Sequence, residues 1–87
     1  MTKEQYDNLI EHFQYNIAEA EHILETINAK MAEAEESLRR SREDGNWNDY
    51  GDAVDKLSNL LREHRCWIGR LNLSRQTLRE AEHYKDR

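Results

Sequence analysis

The sequence predicts an all-α protein, a long antiparallel hairpin of two helices with the character of a coiled coil. Prolines are absent, glycines number three, and charged residues make up 36% of the 87 residues, a composition typical of long helices. Apolar residues recur at alternating spacings of four and three, which is the heptad pattern of packed helices. One polar segment around Gly45 interrupts the pattern, so we expect two helices in a single domain covering residues 1–87.

The first helix is predicted to cover residues 3–43. Thr2-Lys3-Glu4-Gln5 has the form of a capping box, in which the Thr and Gln side chains satisfy free amide groups at the helix start. Gly45 is placed where helices commonly end in a left-handed residue. The predicted seam of this helix, meaning its a and d positions, contains Tyr6, Ile10, Phe13, Ile17, Ala20, Leu24, Ile27, Met31, Ala34 and Leu38.

A turn at residues 44–46 and a second helix at 47–85 are predicted next. Asn46 can cap this helix, and Asp49 suits the positive end of its dipole. Each helix spans ~60 Å at the helical rise, and the short connection requires an antiparallel pair. The predicted seam of the second helix contains Trp47, Tyr50, Val54, Leu57, Leu61, His64, Ile68, Leu71, Arg75 and Leu78.

Charge supports this pairing. Residues 1–36 hold nine acidic and two basic residues, a net charge of −7, and residues 59–87 hold seven basic and four acidic residues, a net charge of +3. A turn centred near residue 44 pairs positions whose numbers add up to about 88. One flank of the hairpin then pairs Asp7 with Arg79 and Glu21 with Arg65, and Arg75 faces Phe13 in a predicted cation–π contact.

The other flank is predicted to be apolar and exposed. It contains Leu9, Ile23, Ala53, Leu60, Trp67 and Ala81. An exposed apolar strip is typical of an interface, and a homodimer in the form of a four-helix bundle, or a helix of another protein, would bury it. We therefore expect partner binding through Leu9, Ile23, Leu60, Trp67 and Arg70, with Trp67 as the anchor.

These features favour a small, non-catalytic protein-interaction module, an oligomeric adaptor or inhibitor that acts through its helix faces. Its size and composition are similar to those of small bundle proteins of phages and mobile elements. The alternative is a helical bundle that binds nucleic acid or a nucleotide, because basic and aromatic side chains together contact phosphates and bases. The candidate contacts for that alternative are Arg62, Arg65, Arg70 and Arg79, near Trp67.

Metal binding and catalysis are not expected. Glu19 and His22 have the Glu-x-x-His spacing of di-iron bundles, as do Glu80 and His83. In the predicted register the two histidines lie ~24 Å apart along the axis, so we expect no metal and no cofactor. No Walker loop or catalytic triad is visible, and the chain is not expected to be an enzyme.

His64 is predicted to be partly buried and hydrogen-bonded to a neighbouring side chain, and Cys66 to be an incidental surface thiol. A single cysteine permits no internal disulfide, and neither a membrane-spanning run nor a signal-peptide core is visible. The expected location is therefore the cytoplasm.

Overall fold

The computed structural model describes residues 1–86 and contains two helices, α1 (Lys3–Asp44) and α2 (Trp47–Lys85). They lie side by side, antiparallel, in a rod that measures 63 × 14 × 13 Å between Cα atoms. The predicted all-α hairpin is thus confirmed. The predicted domain ends at Arg87, which lies outside the described residues. Within residues 1–86, neither helix has a segment apolar enough to cross a membrane.

Local hydrogen bonds explain where each helix begins and ends. The backbone amide of Gln5 donates to the Thr2 hydroxyl over 3.2 Å, and the backbone amide of Thr2 donates to Gln5 Oε1 over 2.8 Å. These two bonds complete the predicted capping box. Gly45 adopts a left-handed φ of 68° and closes α1, a conformation that glycine takes without steric strain. The Asn46 side chain accepts a hydrogen bond from the Asp49 amide and starts α2.

The turn also sets the register. Only Gly45 and Asn46 separate the helices, so antiparallel positions add up to about 91, the sum of the last residue of α1 and the first of α2. This is three residues more than the predicted 88. Ala20 and Leu24 accordingly pack with Leu71 in one core cluster. Ile27 and Ala34 pack with Leu60 in a second cluster toward the turn.

The seam of α1 is as predicted. All ten of its predicted side chains are buried or half-buried, and Ser41 continues the row toward the turn. Ser41 is a polar residue in this core, and its hydroxyl donates to the Ser37 carbonyl oxygen over 2.7 Å. A hydroxyl bonded to its own helix avoids the penalty of an unsatisfied buried donor.

Half of the predicted α2 seam is wrong. Tyr50, Leu57, His64, Leu71 and Leu78 are buried or half-buried as expected, but the row Trp47, Val54, Leu61, Ile68 and Arg75 is exposed. The row that packs on α1 instead contains Ala53, Leu60, Trp67, Ser74 and Ala81. The helix is therefore rotated by one heptad row, about 50°, from its predicted orientation.

Charge explains this rotation. The exposed row continues into Arg75 and Glu82, whereas the buried row contains no charged residue. Burying each of these two charges unpaired costs several kcal/mol by order of magnitude, more than each of the two additional large apolar side chains of that row returns. Small residues in the buried row, Ala53 and Ala81, also let the helices approach closely.

Candidate functional site

The hairpin leaves one row of large aliphatic side chains exposed. Val54, Leu61 and Ile68 are spaced by seven residues on one side of α2 and are 37%, 47% and 37% exposed. We call these three residues the α2 edge. Trp47 begins the same row and is 65% exposed, and it contacts Tyr50 edge to face, with ring centroids 5.5 Å apart.

An ion pair shows which part of α1 lies beside the α2 edge. Arg75 follows Ile68 by seven residues, and its Nη2 donates to Glu21 Oε1 over 3.0 Å. The predicted partner of Glu21 was Arg65, so the predicted pair of Glu21 with Arg65 is wrong.

Asp7, predicted to pair with Arg79, instead pairs with Lys85, and this hydrogen bond raises the pKa of the Lys85 ammonium group. Both corrections follow from the register and from the rotation of α2.

The two helices border the α2 edge with opposite charges. Glu21 lies in the same heptad row of α1 as Asp7 and Glu35. The adjoining row, four residues further along the chain, contains Glu11 and Glu25. The resulting acidic border of α1 contains Asp7, Glu11, Glu21, Glu25 and Glu35. The basic border of α2 contains Arg65, Arg75 and Arg79.

The apolar strip predicted from the sequence is not exposed. Leu60 is 7% exposed, and Ala53 and Ala81 are also buried between the helices. Leu9 is half-buried, and Ile23 is half-buried against the cluster that contains Leu60. The expectation of an exposed strip is therefore wrong, because the rotation of α2 turns its members on that helix, Ala53, Leu60, Trp67 and Ala81, toward α1.

Trp67 lies between the two core clusters. Its side chain is half-buried and packs against both of them. The Arg70 guanidinium lies 4.7 Å from the centre of its ring, a cation–π contact on the outer side of the indole. Trp67 thus covers the core of the hairpin itself.

The predicted nucleic-acid contacts lie on the surface of α2. Arg62, Arg65, Arg70 and Arg79 are all exposed, and within residues 1–86 none of them forms an ion pair. The α1 arginines near the turn differ from them, because Arg39 and Arg40 both donate to Glu36. Those bonds hold the pKa of the Glu36 carboxyl below its usual value.

The histidines and the cysteine are separate from one another. His64 is half-buried in the seam as predicted, but its ring forms no hydrogen bond with another described residue. Cys66 is exposed and unpaired by disulfide, and His22 and His83 are exposed. In the described part of the chain, no three His, Cys, Asp or Glu side chains come together as the ligands of a metal ion would.

Comparison with known proteins adds no family: the sequence matches no family model, and no curated protein or solved structure shows significant similarity to it.

Proposed function

We propose that this chain is a small, non-catalytic protein-interaction module, an adaptor or inhibitor that binds its partner through the α2 edge. The observation that carries this proposal is the row of Val54, Leu61 and Ile68 on the outside of a helix that had two other apolar rows to bury. Three aliphatic side chains in one row offer apolar area to a partner and no nucleophile or general base to a substrate.

The spacing of the α2 edge favours a helical partner. Side chains that recur every seven residues on one side of a helix can insert as knobs into the holes of a facing helix. Leu61 lies at the centre of the row and is the most exposed of the three. Central side chains in an interface usually contribute most of its binding energy, so we place the anchor at Leu61, in the role that the sequence suggested for Trp67.

The test is a charge placed in the centre of the α2 edge. Leu61→Glu should reduce association strongly, because binding would then bury an unpaired carboxylate. Leu73→Glu is the matched control: Leu73 is also on α2, is 65% exposed, and borders a groove with Asn16 and Trp67 on a different side of the helix. Both variants should keep the helical circular dichroism of the wild type, since neither side chain is buried.

Association is measured in two ways. Sedimentation velocity from low to high micromolar concentration reports self-association, and capture from a lysate of the native host, with mass and stoichiometry measured, reports a different protein. We expect Leu61→Glu to lose binding and Leu73→Glu to keep it. A wild-type chain that stays monomeric and captures no protein in a Leu61-dependent manner contradicts the proposal.

The alternative function, binding of nucleic acid or a nucleotide, is favoured by one observation: Arg62, Arg65 and Arg79 are exposed on a single helix and form no ion pair within residues 1–86. Neutralising phosphates with such side chains makes binding fall steeply with salt. A salt-dependent gel shift with RNA or DNA that Arg65→Gln weakens, and Leu61→Glu leaves unchanged, would support this alternative over the α2 edge.

A further inference from the structure

The hairpin exposes more surface than a compact chain of its mass. Its accessible area is 6652 Å² for 10.4 kDa, whereas a compact monomer of that mass exposes about 5,400 Å². One long side of the rod measures 63 by 14 Å between Cα atoms, about 900 Å², and a standard interface takes about 800 Å² from each partner. A second copy on this side has the size that a stable dimer needs.

The charges beside the α2 edge differ in sign between the helices. At the heptad positions that form the acidic border of α1, residues 7–35 contain five acids and no base. At the positions that form the α2 edge and its basic border, residues 54–79 contain three arginines and no acid. A partner that places positive charge against α1 and negative charge against α2 is therefore complementary.

We propose that this partner is a second copy of the chain, packed on the same side about a two-fold axis parallel to the helices. Each α1 then packs against α2 of the other copy, and both turns lie at the same end of a four-helix bundle. This inference rests on the proposed function, because it uses the α2 edge as the contact surface.

The axial positions of the charges fit this arrangement. Antiparallel positions add up to about 91, so Glu25 lies within one residue of the level of Arg65, and Glu11 within one residue of the level of Arg79. A two-fold axis parallel to the helices keeps each level and exchanges α1 for α2. It thereby brings Glu25 to the partner's Arg65 and Glu11 to the partner's Arg79, twice each by symmetry.

The other two-fold arrangement is electrostatically unfavourable. An axis perpendicular to the helices places α1 on α1 and α2 on α2, with the turns at opposite ends. The acidic borders then face one another, as do the basic borders, and like charges across an interface disfavour that pairing. The charge pattern therefore determines the orientation, while the α2 edge supplies the apolar contact.

Spin labels on single cysteines distinguish the two orientations in the 87-residue chain. Asn48 is exposed in the first turn of α2, so Asn48→Cys combined with Cys66→Ser places one label beside the turn. With both turns at one end, the labels lie within about 35 Å, because neighbouring axes in a bundle are about 10 Å apart. With the turns at opposite ends, the labels are separated by about the 63 Å length of the rod.

The native Cys66 provides the control. It lies at the midpoint of α2 and is exposed, so a label there gives a short distance in either orientation and reports dimer formation alone. We expect short distances from both labels. A short Cys66 distance with a long Asn48 distance overturns the proposed orientation while leaving the α2 edge as the contact surface.

Charge reversal supplies an independent measurement. Glu25→Arg should raise the dimer dissociation constant about tenfold, since two symmetric attractions become repulsions. The double variant Glu25→Arg with Arg65→Glu should restore it to within about threefold, and Glu33→Arg, an exposed acid outside the acidic border, should leave it unchanged. An unchanged constant for Glu25→Arg overturns the α1-to-α2 arrangement.

Failure of the dimer and failure of the proposed function give different results. A chain that is monomeric at several hundred micromolar, with no inter-label distance, overturns the second-copy inference. The proposed function survives that result only if a different protein binds and Leu61→Glu, but not Leu73→Glu, abolishes its binding.

Discussion

Arg75 and Glu82 follow Ile68 at intervals of seven residues, so they continue the row of the α2 edge toward the C-terminus. Apolar residues alone leave two orientations open for α2, because both of its outer rows carry large aliphatic or aromatic side chains. Arg75 and Glu82 disfavour the orientation in which their row is buried. Arg75 keeps its guanidinium half-exposed and binds Glu21, a cheaper solution than burial in the seam.

A double-mutant cycle tests this assignment at the residue scale. Glu21→Gln and Arg75→Gln should couple by about 0.5 kcal/mol in the free energy of unfolding, the size expected of an exposed ion pair. The same cycle between Glu21 and Arg65, the pair predicted from the sequence, should give a coupling near zero. Urea denaturation at low protein concentration measures both. Coupling to Arg65 in place of Arg75 would restore the predicted orientation of α2.

At the scale of the helices, the sequence predicts all of the seam residues of α1 but only half of those of α2. The seam of α1 is apolar at every predicted position, whereas each of its two flanking rows contains charged residues, such as Glu21 on one side and Lys30 on the other, so its period leaves a single solution. Three adjacent apolar rows on α2 admit two solutions that share Tyr50, Leu57 and Leu71. The choice between them depends on the free-energy cost of burying Arg75 and Glu82 compared with the gain from burying the apolar side chains of the same row. The periodicity of the sequence does not contain this comparison.

The register error has an equally local cause. The predicted turn was centred near residue 44, whereas the left-handed Gly45 and the capping Asn46 centre it between residues 45 and 46. A difference of about 1.5 residues at the turn becomes three residues in every antiparallel pair. This shift and the rotation of α2 place the predicted strip between the helices. They explain why its predicted exposure was wrong while the predicted fold was confirmed.

Two glycines provide the prediction at this scale. Gly45→Ala should lower the free energy of unfolding by about 1 kcal/mol, because its φ of 68° is strained for any residue with a Cβ. Gly69→Ala is the opposite control: Gly69 is inside α2 with open space around its Cβ position, so alanine should stabilise the helix by about 0.5–1 kcal/mol. Chemical denaturation of both variants checks the signs. Equal effects at both positions would contradict the left-handed conformation of Gly45.

For the molecule as a whole, the chain lacks a second layer. An unfolded chain of 10.4 kDa exposes about 15,000 Å², so the hairpin with 6652 Å² buries only about 55% of that surface, less than even a 60-residue domain typically does. Domains usually gain stability by packing one layer of helices on another. A two-fold partner on the α2 edge would supply that layer, so stability and association would be linked.

Thermal unfolding at different concentrations tests this linkage. A folded dimer that unfolds to separate chains gains stability by mass action, and a hundredfold rise in protein concentration should raise the midpoint by about 5–10 °C for a chain of this size. We expect this rise in the wild type and in Leu73→Glu, monitored by circular dichroism from about 5 to 500 μM. Leu61→Glu should unfold at a lower temperature that does not change with concentration, because its hairpin stands alone. A wild-type midpoint that is also independent of concentration would show that the hairpin is stable without a partner copy and would contradict the dimer.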